Sequence, residues 1–342
     1  MESAIPSHLQ QERRVAKNTE QGYEPLFPAW TARFDPLVDQ VVMAYFGVQS
    51  KEYTDLFSLI PITSLFNTDF APLYWDPAHY VDAQCFHNCI AIAYWRDVAS
   101  FDKWRKLSGF DKWWNDPIRE KETTGWFLEV VSPAADRFET LFSTLGVVEG
   151  LANLAQGMSE PIQEHAYWGS MRDRLPIAQT EELASTDTLY ASQVSNRIQV
   201  KGRDNLCLIR SGQDWSETKG KERAMYTQDM QPVLIKGMDF LRDYGIEAGC
   251  ISCRFMTVLD PITGQKIEKT FGLAHFDALS SLESWAKTHP THVAIFGSFM
   301  KYAQALEFNM AIRLYHEVAV IPASAQFFEY INCHSNTGLL SN

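Results

Sequence analysis

Twelve consecutive residues of this chain have a counterpart 181 positions further on. Ala93-Tyr94-Trp95-Arg96-Asp97-Val98-Ala99-Ser100-Phe101-Asp102-Lys103-Trp104 aligns without gaps with Ala274-His275-Phe276-Asp277-Ala278-Leu279-Ser280-Ser281-Leu282-Glu283-Ser284-Trp285. Alanine, serine and tryptophan coincide, and the apolar positions between them agree. In the first copy, residues 90–95 read as a strand. A helix pattern over 98–104 follows, starting near Asp97, a preferred helix cap. Strand patterns flank both copies. Residues 41–48 precede the first as 206–210 precede the second, and 138–142 follow the first as 314–320 follow the second. A repeated supersecondary unit of this kind predicts two similar α+β halves, each in β-α-β-β-α-β order. Such halves pack sheet to sheet and leave room between sheet and helices. Residues 1–25 read as a flexible or wrapping arm, 26–160 as the first half and 161–342 as the second.

The halves differ where chemistry is expected. His292 lies in His289-Pro290-Thr291-His292, which reads as a helix start because proline at the first helical position loses no bond the helix needs. His289, just outside, caps it. His292 falls opposite Asp111 of the first half. His316 lies in a strand pattern in which Ile312, Leu314, His316, Val318 and Val320 share an otherwise apolar face. A lone histidine is more often a hydrogen-bonded core residue than a ligand. Here the first helical turn disfavours the imidazolium, and a neutral imidazole is what iron requires. A helix histidine and a strand histidine suggest a prosthetic group with one imidazole below and one above, and one such group per chain.

A polar ring on an apolar face needs partners. The candidates are Glu139, Arg174 and Ser211. Glu139 alternates out of phase with Phe138, Thr140 and Phe142. Ser211 closes a strand before Gly212. Arg172 and Arg174 flank Asp173, an arrangement that usually marks a surface ion pair. Cys250-Ile251-Ser252-Cys253 has redox or zinc spacing, but no second pair completes a zinc set, so buried strand thiols are the plainer reading.

Composition limits the partners. A net charge of −12 without a basic cluster argues against nucleic acid. No apolar run reaches membrane-spanning length and no apolar signal region opens the chain, so a cytoplasmic location is expected. The 21 phenylalanines and 10 tryptophans are enough to line an apolar pocket.

Several motifs together resemble the aldoxime dehydratases: His289-Pro290-Thr291-His292, Leu314-Tyr315-His316-Glu317-Val318, Ile209-Arg210-Ser211-Gly212-Gln213-Asp214-Trp215, Tyr167-Trp168-Gly169-Ser170-Met171-Arg172-Asp173-Arg174, Arg137-Phe138-Glu139-Thr140-Leu141 and Tyr330-Ile331-Asn332-Cys333-His334. The resemblance runs over nearly the whole chain. It implies two ferredoxin-like halves with antiparallel sheets packed face to face, as in dimeric α+β barrels, and haem b between the sheet and helices of the second half. It also implies a homodimeric lyase that turns R-CH=N-OH into a nitrile and water on ferrous haem. Carried over by motif, His292 is the proximal iron ligand, and His316, Ser211, Arg174 and Glu139 form the distal set. The 24-residue step from His292 to His316 is similar to the phenylacetaldoxime type, and Ser211-Gly212-Gln213-Asp214 to the aliphatic type. Alternatives are a haem peroxidase of related fold and a non-catalytic haem carrier or gas sensor.

Overall fold

The protein is described from a computed structural model covering residues 1–166, 170–185 and 190–340. Tyr167, Trp168 and Gly169 of the sequence motif lie outside the described residues. The main sheet runs through β1 (Val42–Ser50), β2 (Tyr74–Val81), β3 (His87–Trp95), β4 (Gly125–Val131), β5 (Phe138–Phe142), β6 (Tyr190–Val194), β7 (Arg197–Lys201), β8 (Leu206–Asp214), β9 (Cys250–Leu259), β10 (Lys266–Phe276), β11 (Arg313–Ile321) and β12 (Gln326–Ile331). The helices that matter for the site are α1 (Val98–Leu107), α2 (Ser170–Arg174), α3 (Gln231–Tyr244), α4 (Leu279–Thr288) and α5 (Pro290–Ala305). No helix among the described residues is long and apolar enough to cross a membrane.

The repeat forms the third strand and the following helix of two quartets. β3 leads into α1, whose cap Asp97 accepts from the Ser100 N–H. β10 leads into α4. In the first quartet the strand order is β4-β1-β3-β2, and in the second it is β11-β8-β10-β9. Both therefore read fourth, first, third, second, and every pairing within them is antiparallel. The two quartets meet where β9 pairs with β2, Thr257 opposite His79, so they are hydrogen-bonded into one large antiparallel sheet.

One expected correspondence is replaced. Residues 138–142 do not take the place in the first quartet that 314–320 take in the second. That place belongs to β4, and β5 crosses over to pair with β11. The crossing is returned by β12, which pairs with β4 of the first quartet. Residues 125–131 are buried at every position and so lack the alternation that marks a half-exposed strand.

One face of each quartet contributes to a shared core, with Tyr45, Ile92 and Phe127 from the first and Leu208, Met256 and Phe271 from the second. The outer face of the first quartet is sealed by Phe101 and Trp104 of α1. The outer face of the second packs on Leu241 of α3 and on Leu279, Leu282 and Trp285 of α4. The two repeat tryptophans thus do the same work on the two quartets. The N-terminal arm is hydrogen-bonded to Gln179, Asp173 and Glu283.

Candidate active site

The site is built on the outer face of the second quartet. Alternation along β11 sends Tyr315 and Ala319 to the inner cores and His316 and Val318 to the helix side. Pairing then decides the neighbours. Ser211 on β8 is the cross-strand partner of His316. On the other side Leu141 pairs with His316 and Glu139 with Val318, so Glu139 stands diagonally from His316 on the same face.

Arg174 completes the group. Its Nε donates to Glu139 Oε2 at 2.7 Å and its Nη2 to Oε1 at 3.1 Å. His316 Nε2 lies 2.9 Å from Glu139 Oε1 and 2.9 Å from Arg174 Nη2. A guanidinium only donates and a carboxylate only accepts. Nε2 therefore donates to Glu139 when it carries a proton and accepts from Arg174 when it does not. The triangle offers a partner to both states of the imidazole. Burial by itself raises the Glu139 pKa, but the Arg174 charge and then His316 outweigh it and hold it down at about 2. Glu139 is thus an anion at neutral pH.

Arg172 is two residues away on the same short helix, about 200° round the axis, so it faces elsewhere. Its Nε and Nη2 bind Glu283 of α4 at 3.1 and 2.8 Å. Neither arginine is a surface residue: Arg172, Asp173 and Arg174 are all buried.

His292 is set by the start of α5. Pro290 opens the helix, and the ring of its N-cap His289 accepts from the Thr291 N–H. Nδ1 of His292 then donates to the Ala286 carbonyl at 2.9 Å, in the last turn of α4. That bond puts the lone pair on Nε2, the tautomer a metal requires. Burial pushes the His292 pKa down to about 4 against the opposing pull of the Ala286 bond, so the ring is neutral. Trp285 meets it edge-on at 4.6 Å.

The surfaces around these histidines are apolar and only half covered. On the helix side of the sheet, Phe255, Ile209, Ser211, Leu314 and His316 are half-buried, while Met256, Leu208, Arg210, Tyr315 and Glu317 between them are buried. Within α5 only Tyr302 and Ala303 are buried, and Ile295, Phe296, Phe299 and Met300 are half-exposed. Its main packing partners are α3, α4 and the turn at 226–230, not the strands. A neutral imidazole on a half-covered apolar helix and a second imidazole on a half-covered apolar sheet face are the kinds of side chain that suit a flat apolar prosthetic group. Among the described residues, no three His, Cys, Asp or Glu side chains converge on a metal site of their own. The six thiols are free cysteines, and Cys250 and Cys253 are buried strand residues.

Sequence reasoning missed three residues beside this set. His165 packs edge-on against Phe27 at 5.3 Å, with its pKa pushed to about 4 by burial and then by the Arg174 charge. The Glu164 carbonyl accepts from Arg174 Nη1 at 2.8 Å. Asp173, fully buried, binds the N-terminal arm. None belongs to a periodic pattern that would have singled it out.

Known proteins match the chain end to end. The sequence profile of the haem-containing dehydratases matches residues 44–339. An aliphatic aldoxime dehydratase of Rhodococcus globerulus is 40% identical over 348 residues, covering 99% of this chain and 98% of that protein. A phenylacetaldoxime dehydratase of Bacillus sp. (strain OxB-1) is 32% identical over 335 residues, covering 95% and 94%. The crystal structure of an aldoxime dehydratase in complex with butyraldoxime superposes with a TM-score of 0.94 at 39% identity, over 99% of this chain and 96% of that one. With matches that span the whole fold, the chain belongs to the haem-containing dehydratase family.

Proposed function

We propose that this protein dehydrates aldoximes, R-CH=N-OH, to nitriles and water. Haem b would be held by Nε2 of His292 on α5, with the β8–β11 face turned to it. The observation that carries the reading is the His316–Glu139–Arg174 triangle beside Ser211, because dehydration needs one group that first gives and then takes a proton. When bound, ferrous haem would supply an iron able to take the aldoxime nitrogen and electron density that would help the N–O bond break.

The side chains account for the rest. The Ser211 hydroxyl donates to the aldoxime oxygen and fixes its direction. His316, protonated and held by Glu139, gives its proton to that oxygen, so water departs in place of hydroxide. The neutral ring keeps its Nε2–H on Glu139, and the Nδ1 that gave the proton takes the one from carbon, which closes the C≡N bond. One proton is given and one recovered, so the reaction is redox-neutral.

The equal strand order of the quartets supports two ferredoxin-like halves, 26–160 and 161–342, exchanging β5 and β12. A homodimer belongs to the same reading, and sedimentation equilibrium tests it. The functional test is anaerobic assay of dithionite-reduced holoenzyme with butyraldoxime. Nitrile formation without peroxide is expected. Nitrile only from ferric enzyme with peroxide, or none at all, defeats the proposal.

A further inference from the structure

Arg174 ends a helix of five residues, far below the roughly 12 at which an isolated helix becomes even marginally stable in water. Something else must hold it, and the contacts lead to the N-terminal arm. The buried Asp173 carboxylate accepts from the backbone N–H of Asn18 at 2.9 Å, from the N–H of Thr19 at 2.8 Å, and from the Thr19 hydroxyl. Arg13 Nη2 donates to the Asp173 carbonyl at 3.1 Å. Glu164, whose carbonyl holds Arg174 Nη1, has its carboxylate taken by the arm as well. Lys17 Nζ binds it at 2.8 Å and the Ala4 N–H at 2.8 Å.

The same segment reaches the other histidine's support. Asn18 Nδ2 donates to Glu283 Oε1 at 3.0 Å, the carboxylate that Arg172 also binds. Glu283 sits on α4 one turn before Ala286, whose carbonyl fixes His292.

We propose that the N-terminal arm is a positioning element of the active site, in which residues 13–19, acting through Asp173 and Glu164, hold the Arg174 guanidinium against Glu139 and His316. The inference rests on the roles proposed above for those three residues. Productive geometry demands placement to within about 0.5 Å, and a short helix cannot supply that alone. When α2 shifts, Glu139 stays beside the imidazole while the guanidinium charge that opposes protonation of the ring moves away. The charge balance between the two states changes, while substrate and haem contacts do not. Among the described residues, the groups facing His316 are Glu139 from β5, Ser211 from β8, Arg174 from α2, and His165 from the segment before α2, which lies near enough to exert charge. None lies in the arm, so the arm reaches His316 only through them.

The test uses holoenzyme carrying Lys17→Met and Thr19→Val together, Arg174→Lys, and all three substitutions combined. Haem content, KM, kcat and the pH profile of kcat are measured on each. The arm variant should keep its haem and a near-parent KM, lose roughly 10- to 100-fold in kcat, and show a displaced pH profile. Arg174→Lys should displace the profile in the same way, and the combined variant should lose little more than either, the mark of one shared path. An arm variant with the parent's pH profile, or losses that multiply in the combined variant, overturns the inference. A parent-like Arg174→Lys defeats the proposed site itself, which separates the two failures.

Discussion

Replacing Glu139 by glutamine removes a charge and keeps the shape. The Arg174 and Glu139 side chains are 1% and 2% exposed, so Glu139→Gln leaves a buried guanidinium without its counter-charge. Two routes give the size of the effect. Glu139 is held at about 2 against an ordinary value of 4.5, and at about 1.4 kcal/mol per pH unit this is worth about 3 kcal/mol. Independently, removing one partner of a buried pair typically costs about 3–5 kcal/mol. Because the folded-state value is depressed, the stabilisation is complete above about 4.5 and is lost as pH falls towards about 2. Urea denaturation near neutral pH should therefore show Glu139→Gln less stable by about 3 kcal/mol, with a gap that narrows in acid. The pair Glu139→Leu with Arg174→Met should recover much of that stability, since apolar replacement of a buried ion pair is often neutral, yet remain inactive. A neutral-pH gap below about 1 kcal/mol, or one that does not narrow in acid, refutes the reasoning.

Ser211→Ala should retain haem and lose about tenfold or more in kcat, measured as nitrile formation, because the aldoxime oxygen loses its directing donor. Gly212→Ala would place a Cβ 2.1 Å from the Tyr315 ring, which is itself buried, so calorimetry should show a lower Tm from a cost of about 1–3 kcal/mol. Burial pushes the Cys253 thiol up to about 12, so it should react slowly with iodoacetamide, and mass spectrometry of native protein should find Cys85, which is exposed, modified first.

What was legible in the sequence is local. His289 capping α5, Pro290 at its first position and His316 alternating along β11 are set by neighbours within a few residues. The repeat was readable because Trp104 and Trp285 meet the same packing demand after the same strand. What stayed hidden depends on distant pairing. That β5 leaves the first quartet for β11 is decided across more than 170 residues, and alternation cannot choose a partner strand. Arg172 and Arg174 look alike in sequence. Only the turn of α2 sends one to Glu283 and the other to Glu139. The arm carries no apolar period, and its hold on Asp173 is made largely by backbone N–H groups, which every residue but proline possesses.

The central claim is a division of labour between two histidines. Haem content and the optical spectrum of reduced protein, with and without butyraldoxime, test it in His292→Ala and His316→Ala side by side. His292→Ala should keep its fold by circular dichroism and lose haem. His316→Ala should keep haem, shift its Soret band on adding aldoxime, and form almost no nitrile. Haem retained in the first variant and lost in the second would contradict the claim.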